Sequence, residues 1–189
     1  PKAESQEAPN PPAAETSAPA SSVVDVVVRS ASRPDRSVRG LGTIIASTPE
    51  ASFVLTSLDG VEIAADPTGG RAQVRGDIRI NGFVGESVDV DARGLALIRF
   101  RPGRILPVAQ VVPRDRTPTI GQELTLVDHL EPGRGPSTRP ARINELIGTE
   151  PPEIPTAGPP GALILVCNAS PSTDHGGGAG LFLKAPDGA

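Results

Sequence analysis

Apolar residues occur in short runs from Val23 onward, and Gly, Pro and Asp separate the runs. Some runs alternate apolar and polar positions, as Val88–Asp91 does, and a period of two is typical of a strand with one buried face. No window keeps a 3.6-residue period over the length of a helix. Short strands at this spacing predict an all-β barrel or sandwich. The predicted strands are Val23–Arg29, Leu41–Ser47, Phe53–Thr56, Val61–Ala65, Ile78–Val84, Ser87–Val90, Leu95–Phe100, Ala109–Val112, Glu123–Val127, Ala141–Ile147, Ala162–Cys167 and Leu181–Leu183.

Residues 1–22 differ in composition from the rest and predict a disordered, Pro/Ala-rich tether. The first twenty residues contain five Pro and six Ala, with Glu4, Glu7 and Glu15 among them, and no aliphatic residue larger than Ala. Such a segment has no side chains to bury, so burial cannot offset the entropy lost on ordering. Residues 23–189 are then expected to form the folded domain.

Composition and charge exclude several classes of function. The 189-residue chain carries a net charge of −4, has four Phe and lacks Trp and Tyr, so it has neither the cationic surface nor the stacking rings that nucleic-acid binding uses. No apolar run approaches the ~20 residues that cross a bilayer. A single cysteine, Cys167, excludes an internal disulfide and is expected to be a buried, inert thiol. With only two histidines, no metal and no cofactor is expected.

Three motifs, in this order and spacing, resemble the trypsin-like serine protease domain of the HtrA (Deg) type. Gly40–Ser47 (GLGTIIAS) and Phe53–Val61 (FVLTSLDGV) are similar to the family's G-x-G-x-I-I strand and its V-L-T-x-x-H-V segment. Asp91–Ile98 (DARGLALI) is similar to D-x-x-x-D-L-A-L-L, and Gly176–Phe182 (GGGAGLF) stands where the family has G-N-S-G-G-P-L.

The resemblance implies a fold and a division of the chain. It spans about residues 40–183 and implies a trypsin-like double six-stranded β-barrel, with the first barrel at about 23–115 and the second at about 116–189. The second barrel is expected to be incomplete in this chain. Asp187-Gly188 has the composition of a tight hairpin turn, and no further strand follows it in the sequence.

The residues at the family's catalytic positions depart from the family's pattern. By this resemblance the base position is Asp59, the orienting position is Gly94, and the nucleophile position is Gly178, or Gly177 if the register shifts by one. Acyl transfer needs a nucleophile, a base that takes its proton and a group that orients the base. These residues predict a degenerate triad, no catalytic residues, and a chain that is not an enzyme.

The chain offers few candidates for replacement catalysts. Ser170, Ser172, Asp174 and His175 lie together just before the glycine run, but neighbours in one loop rarely converge on one point, so a polar turn is the preferred interpretation. His129 is expected to be a surface or turn residue. A metal site formed by Asp59, Asp174 and His175 is the remaining, less favoured alternative.

The sequence therefore predicts a non-catalytic, trypsin-like pseudoprotease domain that binds protein or serves as a structural subunit of an assembly. Its partner is expected to be a protein, such as a chain that completes the second barrel. A crowded set of arginines, at Arg93, Arg99, Arg101 and Arg104, suits an acidic partner or simply a solvated face.

The alternatives to a pseudoprotease domain are a serine-type hydrolase with displaced active residues and an unrelated all-β ligand-binding domain. A periplasmic, secreted or membrane-tethered location is expected, because such tethers often follow an export signal or an anchor.

Overall fold

The protein is an all-β chain in a computed structural model that describes residues 19–57, 61–64, 72–91, 94–111, 118–128, 137–148, 163–167 and 180–183. One 3₁₀ turn, Pro19–Ser22, precedes the strands. The strands are β1 Val23–Ser30, β2 Ser37–Ser47, β3 Ser52–Ser57, β4 Ile63–Ala64, β5 Gln73–Val74, β6 Gly76–Ile80, β7 Phe83–Val90, β8 Leu95–Phe100, β9 Glu123–Asp128, β10 Ser137–Gly148, β11 Leu163–Cys167 and β12 Gly180–Leu183.

Six antiparallel strands form a closed barrel in the order β1-β2-β3-β8-β7-β6, and the pairing of β1 with β6 closes it. Alternate residues of each strand point inward, as the period of two predicts. The interior is filled by small and branched side chains and one aromatic ring, which is typical of a narrow barrel. Its buried residues are Val24, Val26, Val28, Ile44, Val54, Ile78, Ile80, Val90, Ala96, Ile98 and Phe100.

Two glycines lie where the barrel wall leaves no room for a side chain. A Cβ at Gly42 would overlap Val54 Cγ1, and a Cβ at Gly85 would lie 2.9 Å from Ile78 Cγ2 and 3.0 Å from Ile98 Cγ2. Because close-packed interiors do not yield by this much without cost, these positions require glycine.

The predicted strand Ile78–Val84 is in fact two strands joined by a turn. Asn81 and Gly82 have φ of 47° and 86°, the left-handed conformation that a two-residue hairpin needs. The prediction was wrong here because the apolar run continues on both sides of the turn and masks the Asn-Gly hairpin signal inside it.

Four strands form a second sheet in the order β11-β10-β9-β12. One face buries Leu124, Leu126, Ala141 and Ile143. Within the described residues, the barrel and the second sheet meet where Val127 of β9 packs against Val23 and Leu41 of the barrel, with Ala20 beside them.

Residues 101–111 leave the barrel and return along β2 as an irregular segment. The Leu106 N–H donates to Ser47 Oγ at 2.9 Å, and the Ala109 N–H donates to the Ile44 carbonyl at 2.8 Å. A bulge between Ile44 and Ala46 frees that part of β2 from regular pairing with β3. The predicted strand Ala109–Val112 is therefore wrong for residues 109–111, which form no strand although Ala109 bonds to β2.

The folded part of the chain begins before Val23. Pro19–Ser22 forms the 3₁₀ turn, and Ser22 is buried. These four residues depart from the predicted tether of residues 1–22. Residues 1–18 lie outside the described residues, so for them the tether stays a prediction, as does the division of the domain at about residue 115.

Candidate functional site

The end of β3 and the start of β8 lie side by side at one end of the barrel. Ser57, the last residue of β3, pairs with Leu95, the first residue of β8. Asp59 follows Ser57 by two residues, and Gly94 directly precedes Leu95. The topology therefore brings together the strand ends that carry two of the three predicted catalytic positions, although Asp59 itself lies outside the described residues.

The turn that contains Gly94 is held by Asp91. The Asp91 N–H donates to the Leu95 carbonyl at 2.9 Å, and Asp91 Oδ1 accepts the Leu95 N–H at 2.9 Å. The Gly94 N–H donates to the Asp91 carbonyl at 3.1 Å, and Gly94 has φ of +79°. A Cβ at Gly94 would have no heavy atom within 4 Å. This position has space for a side chain, and the nearby carboxylate of Asp91 serves to fix the turn.

The third predicted position lies next to a strand at the seam between the sheets. Gly180 begins β12 two residues after Gly178, and it pairs with Val127. Val127 packs against Leu41, whose carbonyl accepts the buried Thr56 hydroxyl at 2.8 Å. The strand ends next to all three positions therefore approach one seam.

Of the predicted catalytic positions, only Gly94 belongs to the described part of the chain. Gly177 and Gly178 lie outside it, and so do Ser170, Ser172, Asp174, His175 and His129. The backbone of Cys167 ends β11. The structure therefore describes the strands that flank the three positions, and the predicted degenerate triad stays a prediction.

A groove on the first two strands of the second sheet was not predicted from the sequence. It has a volume of about 560 Å³ and is lined by Glu123, Leu124, Thr125, Thr138, Arg139, Pro140, Ala141 and Arg142. The Arg142 guanidinium lies 3.6 Å from the Glu123 carboxylate at its rim. No sequence signal marks this groove, because threonine, proline and arginine at alternate positions are ordinary for the solvent face of a strand.

One carboxylate outside the seam is held by two hydroxyl groups. Ser32 Oγ and Ser30 Oγ both donate to Glu62 Oε1, the second at 2.7 Å. These two hydrogen bonds, followed by the charges of Arg33 and Arg75, hold the pKa of Glu62 below its usual value. A carboxylate with a lowered pKa is a weak base, so this cluster fastens the β1–β2 turn to residue 62 and does not activate a serine.

The predicted absence of a metal and of a cofactor remains an expectation. Within the described ranges, no group of three or more His, Cys, Asp or Glu residues could hold a metal ion, and both histidines lie elsewhere. The same ranges contain no helix long and apolar enough to cross a membrane.

Comparisons with known proteins find a shared fold. No family model and no curated protein matches the chain. Among solved structures, the inactive form of Rv3671c from M. tuberculosis H37Rv, a serine-to-alanine mutant, matches with a TM-score of 0.55 at 20% identity, over 93% of this chain and 80% of that chain. The active form of the Rv3671c protease matches with a TM-score of 0.50 at 21% identity, over 93% and 72%. The serine endoprotease from Yersinia pestis gives a TM-score of 0.42 at 21% identity, over 77% and 50%.

The Rv3671c comparisons confirm the predicted fold class and correct one prediction about function. The chain has a trypsin-like fold, with a closed six-stranded barrel followed by a second sheet. Rv3671c, which shares this fold, is a protease whose active form has also been solved, and this finding overturns the prediction that the chain is not an enzyme. That prediction rested on three positions aligned by sequence alone, of which the structure describes only Gly94, so a degenerate triad is not shown.

Proposed function

We propose that this trypsin-like domain binds an extended polypeptide by strand addition to the second sheet. Strand addition joins a peptide to a sheet edge through backbone hydrogen bonds. It is a step that peptide-cleaving and peptide-binding proteins can share.

The observation that supports this proposal is a match between the topologies of the two sheets. Without the β7–β8 hairpin, the barrel strands lie side by side in the order β3-β2-β1-β6. Numbered along the chain, these are the third, second, first and fourth strands of the barrel. The second sheet has the strand order β11-β10-β9-β12. Numbered along the chain in the same way, these are also the third, second, first and fourth strands of their sheet. In the barrel, the hairpin of β7 and β8 bridges the third and fourth strands. In the second sheet, the position that corresponds to this hairpin lies between β11 and β12.

The outer edges of β11 and β12 provide the bonding groups. Among the strands that the structure describes, none pairs with either outer edge. An edge strand presents a row of backbone N–H and C=O groups, which favours pairing with another strand. Beside these edges, Leu124, Leu126, Ala141 and Ile143 form the apolar face that the added polypeptide would cover.

Hydrogen exchange and denaturing intact-mass analysis of the same natively purified sample test this proposal. We expect a second polypeptide at fixed stoichiometry, with slow amide exchange in residues 163–167 and 180–183. After removal of that polypeptide by gel filtration in mild denaturant, exchange in these two strands should accelerate, while the barrel strands β1 and β6 serve as the internal control. A single polypeptide species, whether its outer strands exchange fast or slowly, contradicts the proposal.

A serine-type hydrolase is the second candidate, and the convergence of strand ends at the seam favours it. The nucleophile would come from Ser170 or Ser172, with His175 as base, because these residues precede β12 by five to ten positions. A fluorophosphonate probe labels an activated serine. Labelling that is lost in Ser170→Ala or in Ser172→Ala, and kept in the control variant Ser57→Ala, would support this candidate, and absence of labelling would contradict it.

A further inference from the structure

The 3₁₀ turn Pro19–Ser22 lies at the seam, where the barrel meets the second sheet. It contacts β1 and β2 of the barrel on one side and β9 of the second sheet on the other. Ala20 packs against the cluster formed by Val23, Leu41 and Val127, which we call the seam cluster. In the described part of the chain, the turn contacts β9 more extensively than any barrel strand does.

The seam cluster belongs to neither of the two larger cores. Val23 and Leu41 lie on the outer face of the barrel, because each alternates with residues that point inward. Val127 lies on the opposite face of β9 from Leu124 and Leu126, so it takes no part in the apolar face of its own sheet. All three side chains of the seam cluster are nevertheless buried, and the most exposed of them, Val23, is 7% exposed. Contact across the seam therefore covers apolar side chains of both sheets.

This junction is small compared with the barrel core. The barrel encloses eleven buried apolar residues, whereas the seam cluster has three, beside the half-buried Ala20. β12 also contacts β2 across the seam. An interface between two folded units prevents their relative motion only when it is large and apolar. Local opening takes the least free energy where buried apolar contacts are few, so the seam is expected to open before the barrel does.

We propose that Pro19–Ser22 is a releasable strap that holds the second sheet on the barrel. When the turn leaves the seam, β9 loses its most extensive described contact outside its own sheet, while the barrel stays closed through β1 and β6. The second sheet is then free to move relative to the barrel. Because the strand ends at Ser57, Leu95 and Gly180 approach this seam, the strap controls how they align. This role is separate from strand addition, since it involves neither outer edge of the second sheet.

The distance between two spin labels, one on each side of the seam, tests this proposal in the full chain. The single cysteine is removed by Cys167→Ala, and labels are attached through Glu50→Cys in the β2–β3 turn and Asn144→Cys on β10, two exposed positions. We expect a narrow distance distribution in this protein. Further substitution of Ala20→Asp places a charge against Val127, and the narrow distribution should be lost, because an apolar contact does not hold an unpaired charge. Ala20→Gly removes only a methyl group and should broaden the distribution less.

A matched control separates release of the strap from general loosening of the protein. Ala72 is also a half-buried alanine, but it packs against the barrel core, so Ala72→Asp should leave the distribution narrow. Amide hydrogen exchange provides a second control. Exchange in β6, and in residues 26–30 of β1 that pair with it, should stay slow in both Ala20 variants, since the barrel closes without the turn.

Four outcomes would overturn the proposal. The same narrow distribution with and without Ala20→Asp would show that the turn does not hold the second sheet. A broad distribution while Ala20 is intact would show that the seam is not held at all. Equal broadening by Ala72→Asp would show that the effect is not specific to the seam. Fast exchange in β6 in both Ala20 variants would show that the turn supports the barrel itself.

Discussion

Asn81 and Asp25 exchange two hydrogen bonds where the β6–β7 hairpin meets β1. The Asn81 N–H donates to the Asp25 carbonyl at 3.0 Å, and the Asp25 N–H donates to Asn81 Oδ1 at 2.9 Å. Asn81 does this from a left-handed conformation, with φ of 47°. One residue therefore forms the turn and also extends the pairing that closes the barrel.

Substitution of Asn81 should weaken the barrel through both of these roles. We expect Asn81→Ala to lower the free energy of unfolding by about 1–3 kcal/mol, because alanine loses the Oδ1 acceptor and disfavours a positive φ. Urea unfolding followed by circular dichroism measures this change. Asn81→Gly keeps the conformation and loses only the acceptor, so it should cost less than Asn81→Ala. An equal cost for the two variants would contradict a role for conformation.

Gly42 should tolerate no side chain while Val54 keeps its size. A Cβ at Gly42 would overlap Val54 Cγ1 and lie 2.9 Å from Val26 Cγ2, so we expect Gly42→Ala to destabilise the protein by about 1–3 kcal/mol. Val54→Ala alone leaves a cavity and should also destabilise. Together the two changes should cost less than the sum of the single changes, because the overlap is removed. Additive costs in this double-mutant cycle would show that the overlap is relieved elsewhere.

The titration of Glu62 should depend on Ser32. The hydrogen bond from Ser32, then that from Ser30, lowers the pKa of Glu62 in the folded state below the ordinary value of 4.5. A carboxyl with a lowered folded pKa adds stability above its unfolded pKa, and this contribution is lost as pH falls from about 4.5 through the folded pKa.

We expect Ser32→Ala to raise the pKa of Glu62, as measured by carbon NMR of the side-chain carboxyl. The pKa of Glu86, which is lowered by its hydrogen bond to Arg99, should stay unchanged and serves as the control. An unchanged pKa for Glu62 would contradict a role for the Ser32 hydroxyl.

A side chain at Gly94 should destabilise the protein only through the strain of a left-handed backbone conformation. Its φ is +79° and no heavy atom lies within 4 Å of a Cβ, so we expect Gly94→Ala to cost about 1–2 kcal/mol and Gly94→Asn less, since Asn tolerates the left-handed region. Thermal unfolding measures both. Equal costs would show that the left-handed conformation is not retained in the variants.

The sequence predicted the strands best where apolar and polar residues alternate and a turn residue ends the run. β1 and β8 lie within a residue or so of the predicted bounds, because Val26, Val28, Ile98 and Phe100 alternate with outward residues. The run around Asn81 was predicted as one strand because apolar residues continue through the hairpin. The pairing of β1 with β6, which closes the barrel, joins residues about fifty apart and has no local signal.

The candidate site could be predicted only as far as the strands that flank it. The motifs around Thr56 and Leu95 predict two strands, and β3 and β8 are strands that pair there. The conclusion that the chain is not an enzyme failed against the proteases that share the fold. The groove beside Thr125 and Thr138 could not be predicted at all, because it depends on how two polar strand faces lie and not on any motif.

Closure of the first barrel has a consequence for the order in which the chain acquires its structure during synthesis. All six barrel strands lie within residues 23–100, so the barrel can fold before the second sheet leaves the ribosome. A closed barrel offers no strand for aggregation while the remaining residues are made. Val23 and Leu41 are the outward apolar residues that stay uncovered until Val127 arrives. We therefore expect the nascent chain to be soluble at the halfway point, with the risk of misassembly confined to its later half.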